Sequence, residues 1–186
     1  ALDMERFGVS RDQLITEFLG ELDRDIKILE VGCNVGIQLL ALQKQGFTNL
    51  YGVELQPYAV ETAKAETKGI NIVQGSGFDI PFKDGYFDLV FTSGVLIHIA
   101  PDDLPKIMGE MIRCTKKYIW GFEYYAPEVT EIPYRGNTGF LWKADYAKIF
   151  TDQTEDLQMV KQKQYKYISP EEKDNQDNMY LLQRTR

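Results

Sequence analysis

The chain has 186 residues, 44% of them hydrophobic and 26% charged, values that exclude a disordered or fibrous chain. Its net charge of −7 argues against a broad electrostatic grip on nucleic acid, and no apolar run approaches the roughly 20 residues needed to span a bilayer. Two cysteines, Cys33 and Cys114, make no disulfide framework, and one histidine, His98, leaves no Cys/His zinc set, so a reduced, cytoplasmic, metal-free protein without a leader peptide is expected.

Ser10 followed by Gln13 is a capping box, and Leu14, Ile15, Phe18, Leu19 and Leu22 then fall on one helical stripe. "IKILEV" (26–31) is a short, nearly all-apolar strand, the pattern of a strand covered on both faces. A helix follows from about Gly36 to Gln45. "NLYGVE" (49–54) is a second strand, and "PYAVETAKAETK" (57–68) opens a helix with proline and stops before Gly69. "INIVQG" (70–75) and "YFDLVFTSG" (86–94) are the third and fourth strands. Asp102 is placed to cap a helix with the stripe Leu104, Ile107, Met108, Met111 and Ile112. "KYIWGFEYY" (117–125) is a fifth strand, 126–150 reads as irregular, and 157–168 and 178–184 alternate as a closing antiparallel pair. Strands alternating with helices predict an α/β fold: a Rossmann-like, doubly wound, mostly parallel sheet with a C-terminal antiparallel pair and ligand sites beyond the strands' carboxyl ends.

The turn after the first strand, "EVGCNVG" (30–36), resembles a dinucleotide fingerprint but misses its spacing. Where glycines are wanted at first, third and sixth positions, the chain has Gly32, Asn34 and Ile37, with Gly36 out of register. Glu30, at the strand end, would repel a pyrophosphate and suits a ligand carrying an ammonium or sulfonium. Glu54 closes the second strand, where a carboxylate accepts both ribose hydroxyls of an adenosine without a 2′-phosphate. The turn "QGSGFDIPF" (74–82) brings Phe78 and backbone amides to where an adenine would sit. Together these point to S-adenosylmethionine rather than NAD.

"LEVGCNVG", "YGVEL" and "DIPFKDGYFDLVF" resemble the class I S-adenosylmethionine-dependent methyltransferases. More narrowly, "FTSGVLIHIAPDDL", "RCTKKYIWGFEYY" and "EIPYRGNTGFLWKADYAKIF" are similar to the methylases encoded alongside pseudaminic acid biosynthesis genes. The resemblance runs from about Arg11 onward. It implies that Glu30, Gly32 and Gly36, in a turn that also holds Cys33 and Asn34, contact the methionine end. It further implies that Glu54 contacts the ribose, with Leu55 beside it among the cofactor-binding residues, that Ser76, Gly77 and Phe78 contact the adenine, and that Ser93 or Gly94 offers a carbonyl to the amino group. Cys33 reads as a small turn residue rather than a reactive thiol.

Methyl transfer is an in-line displacement in which the protein aligns nucleophile and methyl and excludes water, and a base is required only for a hydroxyl or a protonated amine. His98 is one candidate base, since imidazole is the side chain that ordinarily titrates near neutrality; an inert packed histidine is the alternative. Glu123 and Tyr124 end the fifth strand as further catalytic candidates. Tyr125, Tyr134, Arg135 and Lys143 are candidate acceptor-binding residues, Arg135 because its planar fork reads a carboxylate or phosphate. "TSGV" after the fourth strand stands where enzymes acting on exocyclic nucleobase amines carry an Asn/Asp-Pro-Pro-aromatic motif. With the acidic balance, that points to a small acceptor. One domain is expected over 1–186, with 1–25 an N-terminal helix and cap, 26–100 the cofactor half and 126–150 an acceptor-side lid. A monomer or homodimer acting on a small sugar-like or anionic metabolite is the leading reading. A protein methyltransferase and a non-catalytic cofactor-binding module are the alternatives.

Overall fold

The computed structural model describes residues 2–185. Strand β1 (Lys27–Val31) sets the layering. Ile28 enters the core on one side of the sheet, while Leu29 and Val31 enter the core on the other, as a strand of period two must when both faces are covered. Helices α1 (Leu2–Phe7), α2 (Arg11–Leu19), α3 (Ile37–Lys44) and α4 (Pro57–Glu66) lie on the first side. Helix α5 (Leu104–Cys114) covers the second with Leu104, Ile107, Met108 and Met111. Between them run β2 (Asn49–Glu54), β3 (Asn71–Gln74), β4 (Phe87–Ser93) and β5 (Thr115–Tyr124), all parallel to β1.

The capping box at α2 is present in full: the Gln13 N–H donates to Ser10 Oγ at 3.2 Å, and the Ser10 N–H donates to Gln13 Oε1 at 2.8 Å. Several expected boundaries differ, beginning with α2, which ends at Leu19 so that Leu22 of the expected stripe lies beyond the helix. Helix α4 ends at Glu66, and the Thr67 hydroxyl bonds back to the Ala63 carbonyl at 2.7 Å. Asp102 does not cap α5: it lies within a 3-10 turn (Pro101–Asp103), and Asp103 takes the cap position without a side-chain bond. Pro105, in the helix's first turn, has no N–H for a capping oxygen to bind. The segment 126–150 is less irregular than its Pro/Gly content suggested. It holds a hairpin of β6 (Thr130–Glu131) and β7 (Trp142–Lys143), then the start of α6 (Tyr146–Gln153), capped by Asp145 accepting from the Lys148 N–H at 3.0 Å. Helix α6 buries Tyr146, Ala147 and Phe150 in the second core, a stripe too short to stand out in the sequence.

Strands β8 (Leu157–Lys166) and β9 (Gln176–Arg184) finish the sheet, whose order is β3-β2-β1-β4-β5-β9-β8. β9 inserts antiparallel between β5 and β8. The edge strand β8 carries Lys161, Lys163 and Lys166, charges that discourage pairing with another sheet edge; Lys163 also meets Glu17 on α2 at 2.9 Å. Strand order reverses at the β1/β4 boundary, the place where doubly wound sheets hold ligands beyond their carboxyl ends. No helix among the described residues is long and apolar enough to cross a membrane.

Candidate functional site

The turn leaving β1 reaches α3 through three left-handed residues, Gly32 (φ +74°), Asn34 (φ +48°) and Gly36 (φ +82°). Gly32 is needed twice over, for this conformation and because a Cβ there would lie 2.7 Å from Val95. Asn34 is the side chain that best tolerates such a backbone after glycine, so the missing glycine costs the turn little. The Gly32 and Cys33 amides donate to the Val53 carbonyl at 2.8 and 3.1 Å, pinning the turn to β2. Cys33 packs over Gly52, where a Cβ would come within 2.6 Å of its sulfur. Burial pushes the Cys33 thiol up to about 12, so it remains a neutral packing group.

Glu54 supports the same turn from the end of β2. Its Oε2 accepts the Asn34 N–H at 2.9 Å and its Oε1 the Gln56 N–H at 2.8 Å. A carboxylate oxygen accepts two hydrogen bonds, so each keeps a lone pair for a ligand hydroxyl. Leu55 beside it is 59% exposed, a bare apolar side chain. Past β3, Ser76 Oγ accepts the Phe78 N–H at 3.1 Å, and Gly77 sits where a Cβ would press on Ile107 and Val31. Arg113 staples the chain that follows to α5: it binds the Ile80 and Phe82 carbonyls, Asp84 and Glu110, while Glu110 accepts the Ile80 N–H at 2.8 Å. The Arg113 hydrogen bond holds Glu110 below the usual carboxylate range.

A cavity of about 940 Å³ opens at the strand ends, within the size range of cofactor sites. Of the expected residues, Glu30, Gly32, Cys33, Asn34, Ser93, Gly94, His98, Glu123, Tyr124 and Tyr134 line it. Gly36, Glu54, Leu55, Ser76, Gly77 and Phe78 lie outside its lining, in the turn and at the ends of β2 and β3. Glu30 is 2% exposed, and its Oε2 is sealed from water without a hydrogen-bond partner. Burial raises its carboxyl well above the ordinary range, with the Glu54 charge adding to the rise and Arg11 opposing it. A cation brought beside Glu30 would restore the charged form and satisfy the orphaned oxygen. Gly94 (φ +67°) has nothing within 4 Å of where a Cβ would stand, so the main chain presents an open face to the cavity. An orphaned acid opposite bare backbone is a donor set suited to the ammonium end of S-adenosylmethionine.

The far wall is aromatic. His98 Nδ1 lies 2.9 Å from the Phe140 carbonyl, which can only accept, so Nδ1 carries a proton and the neutral ring has Nε2 as its acceptor. The Tyr134 ring meets His98 edge-on at 5.4 Å. Glu123 is buried, and its carboxylate accepts the Val95 and Ile97 amides at 3.2 and 3.4 Å, bracing the turn that carries His98. Burial pushes Glu123 up to about 7. Its raised value favours the protonated folded state, so its contribution to stability is complete below about pH 4.5 and is lost as pH rises through about 7. Glu123→Gln, which cannot titrate, removes that slope, worth about 3 kcal/mol over the interval. Urea unfolding of both proteins from pH 4.5 to 8 checks it, and parallel stability curves would refute the assignment.

Tyr125, Arg135 and Lys143 do not line the cavity. Tyr125 follows β5 and donates its N–H to the Gln176 carbonyl at 2.9 Å. Arg135 (φ +50°) and Gly136 (φ +81°) form the tight tip of the β6–β7 hairpin, closed by two hydrogen bonds between Tyr134 and Asn137, and that geometry leaves Arg135 exposed. Lys143 Nζ bonds Asn175 Oδ1 and lies 4.6 Å over the Tyr124 ring. Sequence reasoning missed a different set. Asp3, Arg6, Phe7 and Arg11 reach the cavity from the N-terminal helices, and Tyr167 and Asp177 reach it from the C-terminal strands. Tyr167 stacks on Tyr124 at 5.6 Å and donates its hydroxyl to Asp177 at 2.9 Å; burial pushes Asp177 up to about 6. No local motif marks them, because only chain ends more than 150 residues apart, brought together by the sheet order, create the wall.

Residues 29–118 match the family model described as a methyltransferase domain. An uncharacterized methyltransferase of Synechocystis sp. is 34% identical over 90 residues, covering 48% of this chain and 42% of that protein. Ribosomal protein L11 methyltransferase of Clostridium botulinum is 34% identical over 97 residues, covering 48% and 30%. The chain thus spans less than half the length of these curated relatives. Among solved structures, an S-adenosylmethionine-dependent methyltransferase from Methanosarcina mazei superposes with a TM-score of 0.70 at 16% identity, covering 89% of this chain and 95% of that one. A geranyl diphosphate C-methyltransferase from Streptomyces coelicolor, solved with S-adenosyl-L-homocysteine, gives 0.72 at 11% identity, covering 94% and 80%. The fold is that of the class I methyltransferases, and the stretch similar to a methyltransferase domain, residues 29–118, spans β1 to β5 of the sheet.

Proposed function

We propose that the protein transfers a methyl group from S-adenosylmethionine to a hydroxyl or amine of a small, sugar-like or anionic metabolite. The observation that carries this reading is the continuity of one cavity, from the buried, unpartnered Glu30 and the open Gly94 backbone to the wall of His98, Tyr124 and Tyr134. When bound, the cofactor supplies an electrophilic methyl on a sulfonium. Glu30 and the Ser93–Gly94 main chain hold its amino group, the Gly32–Gly36 turn shapes the methionine end, Glu54 takes the ribose hydroxyls, and Leu55 with Ser76–Phe78 flanks the adenine.

On the acceptor side, His98 Nε2 receives the nucleophile's proton, with Nδ1–H fixed by the Phe140 carbonyl. Glu123 keeps the His98 turn in place, and the Tyr124–Tyr167 stack forms an aromatic face of the kind on which a sugar ring packs. The likeness of "EYY", "YRG" and "LWK" to methylases encoded beside pseudaminic acid genes supports a sugar-like acceptor. A protein acceptor is the second reading, favoured by the similarity to a ribosomal protein methyltransferase. Methyl-labelled S-adenosylmethionine, incubated with a metabolite extract and a panel of nucleotide sugars and sugar acids, separates the two. Label in a small molecule one methylene heavier is the expected result. Label on protein alone, or on nothing, overturns the small-acceptor reading.

A further inference from the structure

Arg11 opens α2 and leans into the cavity from the cap. Asp3 grips one edge of its guanidinium, with Nε to Oδ2 at 2.7 Å and Nη2 to Oδ1 at 2.9 Å. The group lies 5.1 Å over the Phe122 ring, and both charged side chains are only 17% exposed. The third nitrogen, Nη1, is sealed from water and has no hydrogen-bond partner.

Glu30 is in the matching condition, with Oε2 sealed and unpartnered. The two residues line one cavity, and the Arg11 charge opposes the burial that raises the Glu30 carboxyl. Yet among the described residues no ion pair joins them, and each leaves an atom unsatisfied. A donor and an acceptor in that state are costly unless something else completes them. One molecule completes both if it carries an ammonium and a carboxylate on the same carbon, which is the head group of an α-amino acid. A guanidinium whose other edge is already clamped is well prepared to offer a directed, charge-assisted bond to such a carboxylate.

We infer that Arg11 binds the carboxylate of the cofactor's methionine moiety, opposite Glu30 on its ammonium, with Asp3 setting the guanidinium's orientation. This rests on the cofactor reading above and adds a determinant from the N-terminal cap, outside the turn and strand ends. It makes closure of α1 and α2 part of cofactor recognition, and it predicts discrimination by the carboxylate alone.

The probes are S-adenosylhomocysteine and its decarboxylated counterpart, S-adenosyl-3-thiopropylamine, measured by calorimetry. The wild-type protein is expected to bind the first about 10- to 100-fold more tightly, the range for a lost hydrogen bond to a charged group. Arg11→Met should weaken S-adenosylhomocysteine and leave the thiopropylamine nearly unchanged, bringing the ratio towards one. Arg11→Lys, which keeps the charge and the stem over Phe122, should fall between. Thermal unfolding of each variant reports folding. A wild-type ratio near one overturns the inference without any variant, and an undiminished ratio in a folded Arg11→Met protein overturns it equally. If the wild type binds neither probe, the cofactor reading itself falls. A loss confined to the acceptor's KM would assign Arg11 to the acceptor instead and refute the proposal.

Discussion

Glu54→Ala is expected to weaken S-adenosylmethionine binding by about 100-fold, measured by calorimetry. Two charge-assisted hydrogen bonds to ribose hydroxyls are lost, each worth about 1.5–3 kcal/mol, so about 3 kcal/mol is a conservative sum. The structure adds a second route to the same loss. Glu54 also accepts the Asn34 and Gln56 amides, so its removal loosens the left-handed turn between β1 and α3. Glu54→Gln separates the two contributions. Its amide oxygen can still accept one amide, so the turn is partly kept, while the charge at the ribose is gone. Unchanged affinity in Glu54→Ala would remove the ribose assignment altogether.

His98→Ala is expected to reduce turnover by about 100-fold or more while leaving cofactor affinity nearly unchanged, since a positioned general base contributes about 10²- to 10⁴-fold. With Nδ1–H committed to the Phe140 carbonyl, Nε2 is the free proton acceptor on the cavity wall. Glu123 is less suited to that task, because its carboxylate is buried under the Val95 and Ile97 amides. Single-turnover rates in saturating cofactor isolate the chemical step. Wild-type rates in the alanine variant would mean that the acceptor is a neutral amine needing no base, or that Asp177 or Tyr124 serves it.

The fold was legible wherever the chain speaks locally. A strand buried on both faces has to be apolar throughout, a capped helix has to begin with a polar side chain, and both constraints are written in adjacent residues: "IKILEV" and the Ser10/Gln13 pair are direct readings. Helix α6 was hidden for the complementary reason. Its eight residues bury only Tyr146, Ala147 and Phe150, and the preceding hairpin's glycines and proline dominate the composition around it. Asp102 misled because a capping side chain was read without regard to Pro105, which withholds an N–H from the helix's first turn.

The site divides along the same line. The places of Glu30, Gly32, Glu54 and Gly94 at or just past the ends of β1, β2 and β4 follow from strand positions alone, and in this architecture ligand sites lie beyond those ends. The states of those residues came from tertiary structure. Glu30 is unpartnered because of what surrounds it in space, His98 has a defined tautomer because the 126–150 segment folds back to offer Phe140, and Arg135 is carried to a hairpin tip. The cavity's remaining wall, with Arg11 and Asp3 from one end of the chain and Tyr167 and Asp177 from the other, exists only because β9 inserts beside β5 while α1 and α2 pack on the same side of the sheet. Sequence alone determined the period of each element and the chemistry at each strand end, since both depend on near neighbours. Which charges meet across the cavity, and which are left without a partner, was decided by the tertiary structure, because that depends on contacts between segments far apart in the chain.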